Sequence, residues 1–210
     1  MLARFSDEEF AKLKNILLSY EWAKKSILTR LNIIHESIKH SQGKNPIENI
    51  IGRIKTPESI AAKLLKLNFE VTAQNAKEQL KDIVGIRIIC PYSEDIYYLA
   101  ELIRKMPNTT IIVEKDYVTN PKPSGYRSYH IIMEISIYHS GSTETLPVEI
   151  QIRTEAMNFW ATLEHQAKYK YQGDLPKHLS DELVVCADKI SELDKRMFLI
   201  HEIVSLINND

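Results

Sequence analysis

The sequence predicts an α/β (α+β) protein: a mixed sheet of about four or five strands flanked by helices. Three observations predict it. Apolar residues recur at helical spacing through the first forty residues and again beyond residue 176. The stretch between residues 83 and 153 is rich in β-branched residues. Its last two strand-like runs are joined by Ser140-Gly141-Ser142, a short turn that points to an antiparallel hairpin.

Ser6 offers the first helix an N-cap, with Glu9 three positions on to close a capping box. Phe10, Leu13, Leu17, Tyr20, Ile27, Leu31, Ile34 and Ile38 then form one apolar stripe. The run Ser-Gln-Gly-Lys-Asn-Pro at 41–46 ends it. A second helix is expected from Thr56-Pro57, where Thr caps and Pro takes the first helical position. A third follows Thr72. Residues 83–90 read as a strand covered on both faces, and Ser93 as the cap of a helix carrying Ile96, Leu99, Ala100 and Ile103. Further strands are expected over 110–118, 127–139 and 145–153. Helix returns at Thr154 and runs to Tyr171, and Ser180 caps a final helix.

A chain of 210 residues suits one domain over 1–210, divided into an N-terminal helix (1–45), a core (46–172) and a C-terminal helix (177–210). The 27 basic and 28 acidic residues nearly cancel, which argues against a dedicated nucleic-acid binder while leaving room for local basic patches. Cys90 and Cys186 lack metal-ligand spacing and read as reduced thiols of a cytoplasmic protein. No apolar run is long enough to span a bilayer, and Asp7, Glu8 and Glu9 interrupt any leader-like run. The end helices carry more apolar surface than a small sheet covers. Their leftover stripes either build an oligomer interface or pack within the monomer.

The strand at 148–153 is the most informative. Side chains alternate across a strand, so Glu149, Gln151 and Arg153 share one face while Val148, Ile150 and Ile152 share the other. The preceding strand adds Tyr126, Ser128, His130 and Glu134 at one parity. Asp82, at the entrance to the strand containing Arg87, could pair with Glu149, since Mg2+ bound to nucleotides commonly takes one or two carboxylates. Arg53, Lys55, Lys63 and Lys66 surround the start of the second helix, where free N–H groups also favour phosphate. Lys115, Lys122 and Arg127 surround the loop at 120–126, which presents Tyr126. The helix from Thr154 carries Met157, Phe159, Trp160, Leu163 and His165, read as core with a structural histidine. Neither a Walker A sequence nor GxGxxG occurs.

Six stretches in order carry a resemblance: Gly52-Arg53-Ile54-Lys55, Asp82-Ile83-Val84-Gly85-Ile86-Arg87, Lys115-Asp116-Tyr117, Pro123-Ser124-Gly125-Tyr126-Arg127-Ser128-Tyr129-His130, Val148-Glu149-Ile150-Gln151-Ile152-Arg153-Thr154 and Trp160-Ala161-Thr162-Leu163-Glu164-His165. Together they resemble the synthetase domain of the RelA/SpoT family, specifically its stand-alone members, the small alarmone synthetases. The resemblance implies a nucleotidyltransferase-like sheet and Mg2+-dependent transfer of pyrophosphate from ATP to GDP or GTP in stringent-response signalling. It implies that Arg53 and Arg87 sandwich adenine, that Lys55, Ser59 and Lys63 hold ATP phosphates, and that Asp82 and Glu149 bind Mg2+. It implies that Tyr126 stacks on guanine, with Lys115, Lys122 and Arg127 toward the acceptor phosphates. Ser124, His130, Gln151 and the Ala161 backbone complete the acceptor pocket. It implies a homotetramer. No hydrolase motif of the family is present, so synthesis without hydrolysis is expected. Ser124 stands where members often have Asn, which leaves the acceptor open. The alternatives are a related transferase acting on another nucleotide and a silent nucleotide or RNA sensor.

Overall fold

The computed structural model describes residues 5–171 and 175–207. Eleven elements follow in order among these residues: α1 (Asp7–Gln42), β1 (Asn49–Ile54), α2 (Pro57–Lys66), α3 (Ala73–Gln79), β2 (Val84–Cys90), α4 (Ser93–Arg104), β3 (Thr109–Asp116), β4 (Tyr129–His139), β5 (Ser142–Thr154), α5 (Glu155–Tyr171) and α6 (Lys177–Ile207). The strands form one sheet in the order β1-β2-β5-β4-β3. Every neighbouring pair is antiparallel except β2 and β5, which run parallel.

One face of this sheet is the core. Ile86 and Ile88 of β2, Ile150 and Ile152 of β5, and Ile131 and Met133 of β4 are buried, and they share a cluster with Tyr20, Ile27 and Leu31 of α1 and with Ile96 and Leu99 of α4. Burying each such side chain is worth roughly 1.5–3 kcal/mol, so Ile150→Ala at the centre would cost about 2–5 kcal/mol. Leu13, Tyr20, Ile27, Leu31 and Ile38 form the buried side of α1, as the stripe predicts. The β4–β5 hairpin turns at Ser140 and Gly141, both at positive φ (49° and 81°). That is the turn whose twist matches paired strands.

Several local expectations need correction. Strand β1 is absent from the sequence reading; it is a short edge strand whose residues alternate between exposed and half-buried. Strand β2 is covered on both faces only toward its end: Ile89 is buried, while Gly85 and Arg87 on the same face are half-buried and border the open side. The Ser6 hydroxyl accepts the Glu9 amide at 3.3 Å as an N-cap should. The Glu9 carboxylate does not return the bond: it accepts the Ala73 amide at 2.7 Å and so caps α3. Helix α4 starts one residue early, with Tyr92 at the N-cap and its amide bonded to Asp95. Helix α6 starts at Lys177, so Ser180 lies inside its first turn. In α5 only Met157 and Trp160 of the expected core are buried; Phe159, Leu163 and His165 are exposed. Among the described residues no helix is long and apolar enough to cross a membrane.

Candidate active site

The open face of the sheet gathers polar side chains in two adjacent rows. Register puts Ile51, Arg87, Gln151, His130 and Lys115 in one row across all five strands. Arg53, Gly85, Glu149, Ile132 and Val113 form the next. Residues opposite one another on neighbouring strands point the same way, so strands distant in the chain converge on one surface. Asp82 enters this surface from the end of β2. The Thr56 hydroxyl caps α2 by accepting the Ser59 amide at 3.3 Å, and Lys63, in the last turn of the same helix, reaches Asp82.

Two clefts open side by side on this surface. One is lined by Ile51, Arg53, Gly85, Arg87 and Gln151, the other by Lys63, Lys81, Lys115, Tyr117, Lys122 and His130. Asp82 and Glu149 line both. The two carboxylates therefore form a shared wall between an arginine-lined and a lysine- and tyrosine-lined cleft.

The carboxylates are in different company. Lys55 and Lys63 each donate to Asp82 Oδ2, at 2.7 and 2.6 Å. Burial works against ionisation of Asp82, yet the two lysines outweigh it and hold its carboxyl below the ordinary value. Its Oδ1 is buried and has no hydrogen-bond partner. Glu149 is also held below its ordinary value, with burial opposing and His130 and Gln151 prevailing; the negative charge of Asp82 pushes the other way. Among the described residues no three His, Cys, Asp or Glu side chains are grouped to hold a metal. Two hard oxygen ligands, one with an unpartnered oxygen, fit a Mg2+ ion that brings phosphate and water as its remaining ligands.

A closed ring of hydrogen bonds backs Glu149. Arg153 Nη2 donates to Gln151 Oε1 at 2.8 Å, and Gln151 Nε2 donates to Glu149 Oε2 at 2.9 Å. The same Arg153 nitrogen lies 2.5 Å from the Tyr126 hydroxyl, which is 2.8 Å from His130 Nε2. His130 Nδ1 then stands 3.2 Å from Glu149 Oε1. One proton arrangement satisfies the whole ring, with the imidazole proton on Nδ1 and the tyrosine donating. Arg153 also lies 4.9 Å from the Tyr126 ring centroid, a cation–π distance.

The structure brings most of the predicted site residues together. Arg53, Arg87, Asp82, Glu149 and Gln151 line the first cleft, and Lys63, Lys115, Lys122 and His130 the second. Gln151 thus falls on the arginine side rather than with the acceptor group. Lys55 reaches the shared wall through Asp82, and Ser59 lies at the α2 N-terminus with its hydroxyl 3.0 Å from Thr56. Lys122 lies 4.7 and 4.9 Å from the rings of Tyr117 and Tyr126. Arg127 turns away: it donates to the Val118 carbonyl and to Asp188 of α6. Ala161 packs in a separate small cluster with Trp160, against which Tyr126 leans. Ser124 sits in the tight turn closed by the bond from the Gly125 amide to the Lys122 carbonyl, 2.8 Å. Arg153, Tyr117 and Lys81 were not assigned from sequence. The polar parity of residues 149, 151 and 153 marked Arg153, but nothing in it showed what Arg153 holds.

A family model described as the region found in RelA/SpoT proteins matches residues 52–174. The chain belongs to the RelA/SpoT family. Among its RelA/SpoT relatives, the GTP pyrophosphokinase YwaC of Bacillus subtilis is 42% identical over 88% of this chain and 88% of its own length. The crystal structure of small alarmone synthetase 1 from Bacillus subtilis bound to its product pppGpp superposes with a TM-score of 0.83 at 32% identity, over 91% of this chain and 97% of that one. The same enzyme bound to AMPCPP superposes with a TM-score of 0.77 at 30% identity, over 91% and 97%. These likenesses extend well beyond the matched region, into both end helices.

Proposed function

We propose that this protein transfers the β,γ-pyrophosphate of ATP to the ribose 3′-hydroxyl of GDP or GTP, giving ppGpp or pppGpp and AMP. One observation carries the reading: two clefts of different chemistry meet at a wall made of Asp82 and Glu149. A reaction between two nucleotides needs two such sites with a common border.

ATP takes the arginine-lined cleft. The guanidinium planes of Arg53 and Arg87 suit adenine faces in a way lysine does not, and burial, with the nearby Arg153 and Arg53 adding, holds the Arg87 guanidinium below its ordinary value. Lys55 and Ser59, beside the start of α2, and Lys63, which meets Lys55 at Asp82 on the shared wall, offer the triphosphate its partners. The acceptor takes the other cleft, with Tyr126 and Tyr117 beside its base and Lys115 and Lys122 beside its phosphates; Ser124 shapes the same loop. Asp82 and Glu149 would hold Mg2+, which would supply charge neutralisation for the transferring phosphates. Glu149, ionised despite burial, orients the 3′-hydroxyl and receives its proton. The 3′-oxygen bonds to the β-phosphorus as the bond from that phosphorus to the α–β bridging oxygen breaks, and AMP leaves with that oxygen. Positioning and charge complementarity supply most of such a catalytic effect.

The family, together with an exposed apolar row on α6, supports assembly as a homo-oligomer, a tetramer by resemblance, and a role in cytoplasmic alarmone signalling. Incubation with Mg2+, β-labelled ATP and GDP tests the reaction. Label must move into a guanosine species, and Glu149→Gln is expected to lower turnover by about a thousandfold or more with an unchanged melting curve. Label that stays with adenine nucleotides refutes the assignment.

A further inference from the structure

Helix α6 contributes nothing to either cleft, yet three contacts join it to the elements that hold the acceptor side. Its Ala187 lies against Gly125, which has φ +87°; a Cβ at residue 125 would stand 2.7 Å from that of Ala187. Its Leu183 carbonyl accepts the Trp160 indole N–H at 2.9 Å, and its Asp188 pairs with Arg127 at 3.1 Å. Deeper in, Asp194 is 8% exposed and accepts a hydrogen bond from the Thr154 hydroxyl at 2.7 Å. The Thr154 oxygen in turn accepts the Met157 amide at 3.1 Å, capping α5.

Thr154 is the residue after Arg153. Its side chain is spoken for on both sides: it donates to α6 and accepts from α5. That fixes the backbone from which Arg153 reaches Tyr126 and Gln151. Both arms of the ring behind Glu149 start at that guanidinium. Burial raises the Asp194 carboxyl above its ordinary value, with the Thr154 bond opposing. The Thr154 hydroxyl is the polar group that compensates this buried side chain.

We infer that Asp194 is a positioning residue for the acceptor nucleotide, acting through Thr154 and Arg153 on Tyr126 and the loop at 122–128. The inference rests on the proposed reaction for what the loop binds, but the mechanical coupling stands on the contacts alone. Asp194 lines neither cleft. It sets where β5 ends, and with it where the tyrosine platform lies.

The test measures both Michaelis constants in the full chain. Asp194→Ala is expected to raise KM for GDP by about tenfold with KM for ATP within about twofold. Asp194→Asn, which keeps an oxygen acceptor for Thr154, is expected to restore most of the loss. An unchanged KM for GDP, or a parallel rise in both constants, overturns the inference. Should Asp194→Ala fail to fold, Thr154→Val decides, because it keeps the side-chain shape and removes the hydroxyl that Asp194 holds: a selective rise in KM for GDP supports the coupling, and no rise overturns it. Hydrogen exchange of the amides at 122–128 gives an arm free of substrate. Faster exchange in Asp194→Ala supports the coupling even if wild-type protein transfers no pyrophosphate, and unchanged exchange removes it, so the two failures are distinguishable.

Discussion

Asp95 accepts the Tyr92 amide at the start of α4, and burial, with Glu94 adding, raises its carboxyl to about 6 from an ordinary 3.8. Between those values the folded protein keeps a proton that the unfolded chain has released. Stability therefore falls as pH climbs from about 4 to about 6. Asp95→Asn keeps the capping oxygen and removes the titration, so it is expected to stabilise the protein at pH 7 by roughly 1 kcal/mol. Urea melts of both forms at pH 4 and pH 7 check this, and an equal slope in both counts against the assignment. At the site, Arg87→Lys keeps the charge but loses the plane. It is expected to raise KM for ATP by about tenfold while leaving the acceptor constant alone. The individual carboxylates and lysines are visible in the sequence as residue types. That Asp82 and Glu149 share a wall is not, because no spacing rule joins the end of one strand to the middle of another far along the chain. Arg153 was hidden for the same reason: its importance exists only once the Tyr126 loop folds back over it.

Helix α6 shows an element with two masters. Its first half docks through Leu183, Ala187 and Ile190 on the Trp160 cluster. Its second half leaves Leu193, Met197, Ile200, Val204 and Ile207 exposed, at alternating steps of four and three, the spacing of a coiled-coil seam. Replacing Ile200 and Val204 together by Lys is expected to lower the molar mass measured by light scattering while preserving helicity; an unchanged mass would set the seam aside as an assembly surface. The long end helices and the β4–β5 hairpin were legible because their periodicities persist over many residues and their turn residues are distinctive. Strand β1 was not. Six residues at a sheet edge, interrupted by Gly52, carry too little alternation to stand out, and the family motif there drew attention to Arg53 rather than to backbone pairing. The start of α6 was placed late because Ser180 looks like a cap, whereas the helix already begins behind Pro176.

Across the whole molecule, the proposed meeting of two nucleotides at one wall would link binding to folding. A ligand at a hundred times its dissociation constant stabilises the native state by about 2.7 kcal/mol. For a chain of this size that is a rise in melting temperature of about 5–10 °C. A non-hydrolysable ATP analogue and GDP, each with Mg2+, should both produce such a rise. If either leaves the melting temperature unmoved, the cleft assigned to it is wrong. The α/β (α+β) class followed from the sequence, but the neighbour order within the sheet did not, since pairing between β2 and β5 depends on a crossover that leaves no local trace. That parallel pair has a consequence for synthesis on the ribosome. Asp82 emerges early and Glu149 late, and only β5 taking its place next to β2 brings them side by side. On the proposed roles of the two carboxylates, a nascent polypeptide halted between them has half of the shared wall, and alarmone output is expected only after β5 has emerged and paired.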